Sequence, residues 1–122
     1  MTATTVDPPT SELVTVTVST SDAVARVTAA GEVDSTSAPV LREHLDIVLE
    51  SGAQEFVVDL VQVSFLDSAG LCVLAAAHRR AGERGVRMRV LASSRAVIRP
   101  LQITGLWSLL GASEVRSDTG AA

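Results

Sequence analysis

Between Ser37 and Glu50 the apolar positions recur at helical spacing. Val40, Leu41, Leu45, Val48 and Leu49 share one face, and Arg42, Glu43, Asp46 and Glu50 lie opposite. Pro39 falls in the first turn of this predicted helix, where its missing N–H is tolerated, and Gly52 is placed to close it. The run Glu55 to Leu60 is short and apolar and reads as a buried strand, and Leu71 to Ala81 reads as a second helix. From Val86 to Ala92 the period is two, with Arg87 and Arg89 on the polar side of a strand. At the front, Leu13 to Val18 alternates apolar residues with Thr, and Ala23 to Ala30 follows a Ser19–Asp22 turn, so the pair predicts a hairpin. Ser93-Ser94 caps a short helix through Ile103, kinked or started by Pro100 and ended by Gly105. Residues 106–116, with Trp107, Leu109, Leu110 and Val115, hold a last apolar turn and an edge strand. The proline-broken start and the small polar end read as tails, 1–11 and 117–122, around one domain at 12–116.

Strands separated by helices call for a largely parallel sheet with crossover connections, here with one antiparallel hairpin in front. Functional groups in open sheets of this kind gather beyond the carboxyl ends of the strands. Asp34 and Ser68 both follow predicted strand ends, which is the placement that brings them near one another.

Composition narrows the class. A chain of 122 residues, 47% hydrophobic and 20% charged, is one domain's worth of ordinary globular protein. Aromatic residues are 2%, so the core falls to Val, Leu, Ile and Ala. The net charge of −4 argues against nucleic acid as a direct partner, because phosphate binding needs a basic face. Met1 to Glu12 has no basic segment followed by an apolar one, and no apolar run is long enough to span a bilayer. A lone Cys72 fits a reducing cytoplasm and is expected to be a small core residue. Two isolated His and one Cys at unrelated spacings make no metal-ligand set, and no cofactor motif is present. His44 is expected at the surface, and His78-Arg79-Arg80 as a solvated last turn that complements the helix dipole.

The candidate chemistry sits at Phe65-Leu66-Asp67-Ser68-Ala69-Gly70-Leu71, where a strand segment gives way to a helix. Asp67 and Ser68 are residue types that cap helices, and capping alone accounts for them in isolation. The alternative is a phosphorylation site, since a helix start accommodates a phosphate on its unpaired N–H groups without melting. A nucleophile elbow is excluded: the Gly expected two positions before the Ser is Leu66, and neither His follows a strand to act as base. Leu66, Leu71 and Leu74 around the Ser are read as core, with an exposed subset as a docking patch the competing reading. Asp59 is expected near a strand end, capping the following turn.

In order along the chain stand Gly31-Glu32-Val33-Asp34, the helix from Ser37, Val58-Asp59-Leu60, Asp67-Ser68-Ala69-Gly70-Leu71 and Leu101-Gln102-Ile103-Thr104-Gly105-Leu106. Together they resemble the STAS family, the anti-anti-sigma factors of bacteria, over roughly residues 12–116. The resemblance implies an α/β STAS fold, a mixed sheet of four or five strands with helices mainly on one side. It implies an anti-sigma factor antagonist, not an enzyme, that binds an anti-sigma serine kinase and frees a sigma factor. Phosphorylation at Ser68 switches it off and a PP2C-type phosphatase resets it; Asp34, Asp67, Ser68, Ala69, Gly70 and Leu71 meet the partner. Ala69 departs from the commoner Ser or Thr of the motif, which removes a second acceptor and leaves Ser68 intact. A monomer is implied. The competing class is a STAS scaffold or interaction module whose Ser68 is never modified.

Overall fold

A computed structural model describes residues 12–115. The segments expected as tails, and residue 116 of the expected domain, lie outside the described residues. Five strands, β1 (Val14–Ser21), β2 (Val24–Val33), β3 (Glu55–Leu66), β4 (Arg87–Ala92) and β5 (Ala112–Glu114), form one sheet in sequence order. The first pair is antiparallel and the other three pairings are parallel, as the alternation of strands and helices predicts. The helices are α1 (Ala38–Leu49), α2 (Ser68–Glu83), α3 (Arg95–Ile103) and the single turn α4 (Leu106–Leu109).

Strand alternation sorts the sheet into two faces. Ala25, Val27, Phe56, Val58, Met88 and Val90 are buried and point to the side covered by α1 and α2. On the opposite face of the same strands lie Arg26, Thr28, Glu55, Val57 and Arg89, none of them buried. The apolar stripe of α1 is the one its sequence predicts: Val40, Leu41, Leu45, Val48 and Leu49 are all in the core.

Several boundaries move, each for a local reason. The hairpin strands run closer together than the Ser/Thr-rich segment suggests, because Asp22 and Ala23 both take positive φ (54° and 64°) and make a two-residue turn whose twist matches the strands. β3 continues six residues past Leu60. Its register against β2 slips between Thr28 and Ala30, so the alternation changes phase there and a single-period reading stops short. Asp59 therefore lies inside β3 and does not cap a turn after it. Its Oδ1 accepts the Val61 N–H at 3.0 Å beside the slip, and its Oδ2 accepts from Arg26 at 2.5 Å. α2 begins at Ser68, three residues before Leu71. Ser94 stands at the N-cap of α3 by position, but its hydroxyl donates to the Val63 carbonyl at 3.2 Å and makes no cap bond. That contact ties α3 to the outer half of β3, past the end of the β3–β4 pairing at Asp59 and Leu91.

Candidate functional site

The sheet brings the two sequence motifs together through its parallel register. Val33, the last residue of β2, pairs with Leu66, the last of β3, and the Asp67 N–H donates to the Val33 carbonyl at 3.2 Å. Asp34 and Asp67 thus leave neighbouring strands side by side, and Ser68 follows at once. The glycine of the first motif is fixed by close approach: Gly31 has φ +114°, and a Cβ there would stand 2.1 Å from the Leu13 carbonyl oxygen. That approach holds β1 against β2 where the loop to α1 leaves the sheet, and the Glu32 N–H donates to the same carbonyl at 2.8 Å.

Ser68 is exposed and its hydroxyl makes no hydrogen bond among the described residues. The cap is supplied by Asp67, whose Oδ1 accepts the N–H groups of Ala69 at 2.9 Å and Gly70 at 3.4 Å. Helix initiation is therefore complete without the serine oxygen, which faces solvent at the first residue of α2. Ala69 and Leu71 are partly buried. Gly70 is buried, and a Cβ on it would meet Leu66 Cδ1 at 2.4 Å and Val33 Cγ1 at 2.9 Å. Its contribution is to let α2 start hard against the strand ends. Leu66 and Leu74 are core residues, while Phe65, one position upstream, is 46% exposed at the same strand end.

Asp34 anchors the loop before α1. Its Oδ1 accepts from the Thr36 hydroxyl at 2.7 Å and N–H at 2.8 Å and from the Ser37 N–H at 3.1 Å, leaving Oδ2 unbonded among the described residues. The Thr36 hydroxyl first, then the Thr36 and Ser37 donors, hold this carboxyl below its ordinary value, with slight burial opposing. A depressed carboxyl stabilises the fold above its unfolded pKa, and that contribution is lost as pH falls through the lowered one. Sequence reasoning misses Ser37, which is fully buried. Its hydroxyl donates to the Glu32 carbonyl at 2.7 Å and accepts the Asp34 N–H at 2.9 Å, closing the loop on the strand. The signal is an Asp followed at two and three residues by Thr and Ser, the pattern of a side-chain-bonded turn.

Cys72 is exposed, contrary to its expected place in the core. The buried stripe of α2 is Gly70, Leu74, Ala77 and Ala81, and residue 72 falls on another face. With Ala69 and Val73 it lines one wall of a cleft of about 280 Å³ whose other wall is Ser35, Ala38, Pro39 and Arg42. At the far end of the same two helices, Arg80 pairs with Asp46 and Arg84 donates to the Leu49 carbonyl at 3.2 Å. Arg80 and Asp46, expected on solvated faces, instead stitch α2 to α1. His44 is partly buried and its Nδ1 lies 2.7 Å from the Val40 carbonyl. No group of metal-ligating side chains occurs among the described residues, and no described helix is long and apolar enough to cross a membrane.

Residues 15–122 match the STAS domain model. This chain belongs to the STAS domain family. It is 36% identical over 93 residues to the anti-sigma-F factor antagonist RsfB of Mycobacterium tuberculosis, covering 76% of this chain and 75% of the relative. To the anti-sigma-B factor antagonist of Bacillus subtilis it is 37% identical over 95 residues, 78% of this chain and 85% of that one. The crystal structure of an anti-sigma factor antagonist from Mycobacterium paratuberculosis superposes with a TM-score of 0.76 at 33% identity, covering 81% of this STAS chain and 84% of the other. The shared fold is the five-stranded mixed sheet with its helices, as the ordered motifs imply.

Proposed function

We propose that this STAS protein is an anti-sigma factor antagonist whose binding to an anti-sigma serine kinase is switched by phosphorylation of Ser68. Unmodified, it engages the kinase and so frees a sigma factor in the cytoplasm. Transfer of the γ-phosphoryl group of ATP to Ser68 Oγ, with the hydroxyl proton leaving to a base on the kinase and ADP departing, ends that complex. A PP2C-type phosphatase then hydrolyses the phosphoserine and restores binding. The names of the two relatives support the antagonist role. The observation that carries the switch is the exposed, unbonded hydroxyl of Ser68, relieved of capping by Asp67.

The surroundings supply the energetics. A phosphate adds a charge of about −2 beside Asp67 and Asp34. Against a partner carboxylate at ~6 Å with an effective dielectric of ~40–50, the repulsion is about 2–3 kcal/mol, roughly two decades of affinity. Charge alone thus separates the pair with both folds intact. Calorimetric titration of the cognate kinase with wild type, Ser68→Ala and Ser68→Glu tests this. Ser68→Ala is expected to bind and to resist release by ATP, and Ser68→Glu to bind at least tenfold more weakly. Equal affinities for all three would remove the mechanism.

A further inference from the structure

The cleft beside Ser68 holds a cation with no assigned work. Arg42 stands on the α1 wall with Ser35 and Pro39, facing Ala69, Cys72 and Val73 of α2. It is exposed and makes no ion pair among the described residues. Its natural helical partner four residues on is Asp46, and that carboxylate is taken by Arg80 of α2. Ser68 precedes Cys72 by four residues and so stands on the same side of α2, about 6 Å nearer the helix start. Since α1 and α2 both leave the carboxyl ends of neighbouring parallel strands, the Ser68 end of the cleft is also the end toward Ser35.

We infer that Arg42 is the internal counter-ion of phosphorylated Ser68, swinging along the cleft to hold the phosphate its own helix neighbour leaves it free to meet. The inference rests on Ser68 being the modified residue. Asp34 and Asp67, which leave the adjoining strand ends, are acidic, and Arg42 is the charged residue lining the cleft, so it is the cation that a dianion there would recruit. A guanidinium offers paired donors that match phosphate oxygens. Holding the phosphate in this way orders it at the cleft mouth and withdraws Arg42 from any partner carboxylate. Modification would then change the local charge by about −2 in all, with Arg42 held by the phosphate and no longer open to a partner. The acids around it keep the rim net negative after the pair forms.

Full-length protein with phosphoserine installed at position 68 during translation makes the test independent of any kinase. Titration followed by phosphorus NMR reads the second ionisation of the phosphate in the wild type, Arg42→Gln and Arg42→Lys. The expected result is an upward shift of about 0.5 unit in Arg42→Gln, with Arg42→Lys staying nearer the wild type, because an adjacent cation favours the dianion. Coincident titration curves for all three proteins would overturn the inference. A kinase that fails to modify Ser68 would instead count against the proposed function and leave this measurement unaffected.

Discussion

The seam between α1 and α2 is built in opposite ways at its two ends. Toward the helix carboxyl ends it is stitched: Arg80 reaches Asp46, and Arg84 reaches the Leu49 carbonyl. Toward the amino ends the same helices part into a cleft whose one wall carries Arg42, without an ion pair among the described residues, and whose other wall carries small side chains. Arg80, Asp46 and Arg84 at the stitched end are engaged across the seam, so these side chains hold the helices together. At the open end, the helices are positioned by buried contacts beneath them. Gly70 seats α2 on Leu66 and Val33, and Ser37 ties the α1 loop to the Glu32 carbonyl. Side chains above that footing, Ser68 and Arg42 among them, remain uncommitted. A rigid footing under free side chains is what the proposed charge switch needs, because phosphorylation of Ser68 would have to change the surface without moving the scaffold.

The footing is the place to break this contrast most severely. Gly70→Ala would force a methyl to within 2.4 Å of Leu66 Cδ1 and 2.9 Å of Val33 Cγ1, both on buried side chains. Overpacking of this sort costs about 1–3 kcal/mol, and the gain in helix propensity returns at most about 1. Urea unfolding is expected to show a net loss of up to about 2 kcal/mol, with hydrogen exchange accelerated in the first turn of α2 and unchanged near Arg80. A uniform acceleration along α2 would mean that the two ends are not independent.

Much of this arrangement could be read from the chain, and the parts that could not share a cause. The apolar stripe of α1 and the alternation of β4 were legible because each buries against one neighbour with one period. The approach of the Asp34 and Ser68 motifs was legible too, since parallel neighbours end on the same side. What escaped depends on facing partners. Asp46 reads as a solvent residue within its own helix and becomes an interhelical ligand only when Arg80 arrives from α2. Cys72 is surrounded by Leu, Val and Ala in sequence, and such a composition does not say which face is buried; Leu74, Ala77 and Ala81 settle it. β3 runs past its predicted end because the slip beside Asp59 changes the phase of alternation. Ser37 looks like one more small polar residue, and its full burial follows from the loop folding back onto Glu32.

Removing the stitch is the second test of the contrast. Arg80 and Asp46 side chains are each 31% exposed, so their pair is partly shielded and more costly to break than a surface pair. Arg80→Met keeps the length of apolar stem against α1 and leaves Asp46 without its cation. Thermal and urea unfolding should register a loss of about 1 kcal/mol, with binding at the Ser68 end changed only through Arg42. A loss smaller than the error of the measurement would mark the pair as ornamental and assign the closure of that end to Arg84 and packing.

The smallest effect bears on whether Arg42 is free because Asp46 is occupied. With Arg80 in place, Arg42→Gln should leave stability within about 0.5 kcal/mol, as for an exposed side chain that makes no ion pair among the described residues. In the Arg80→Met background Asp46 is released, and Arg42 lies four residues before it on the same helix face. An acid four residues after a base is the weaker order of the helical ion pair, so the coupling should be about 0.2–0.3 kcal/mol. A double-mutant cycle with replicate urea titrations isolates it. Arg42→Gln should therefore cost more stability in the Arg80→Met background than in the wild type. If Arg42→Gln costs the same in both backgrounds, Arg42 does not turn to Asp46 when Arg80 is removed, and the open end owes its available cation to something other than the stitch.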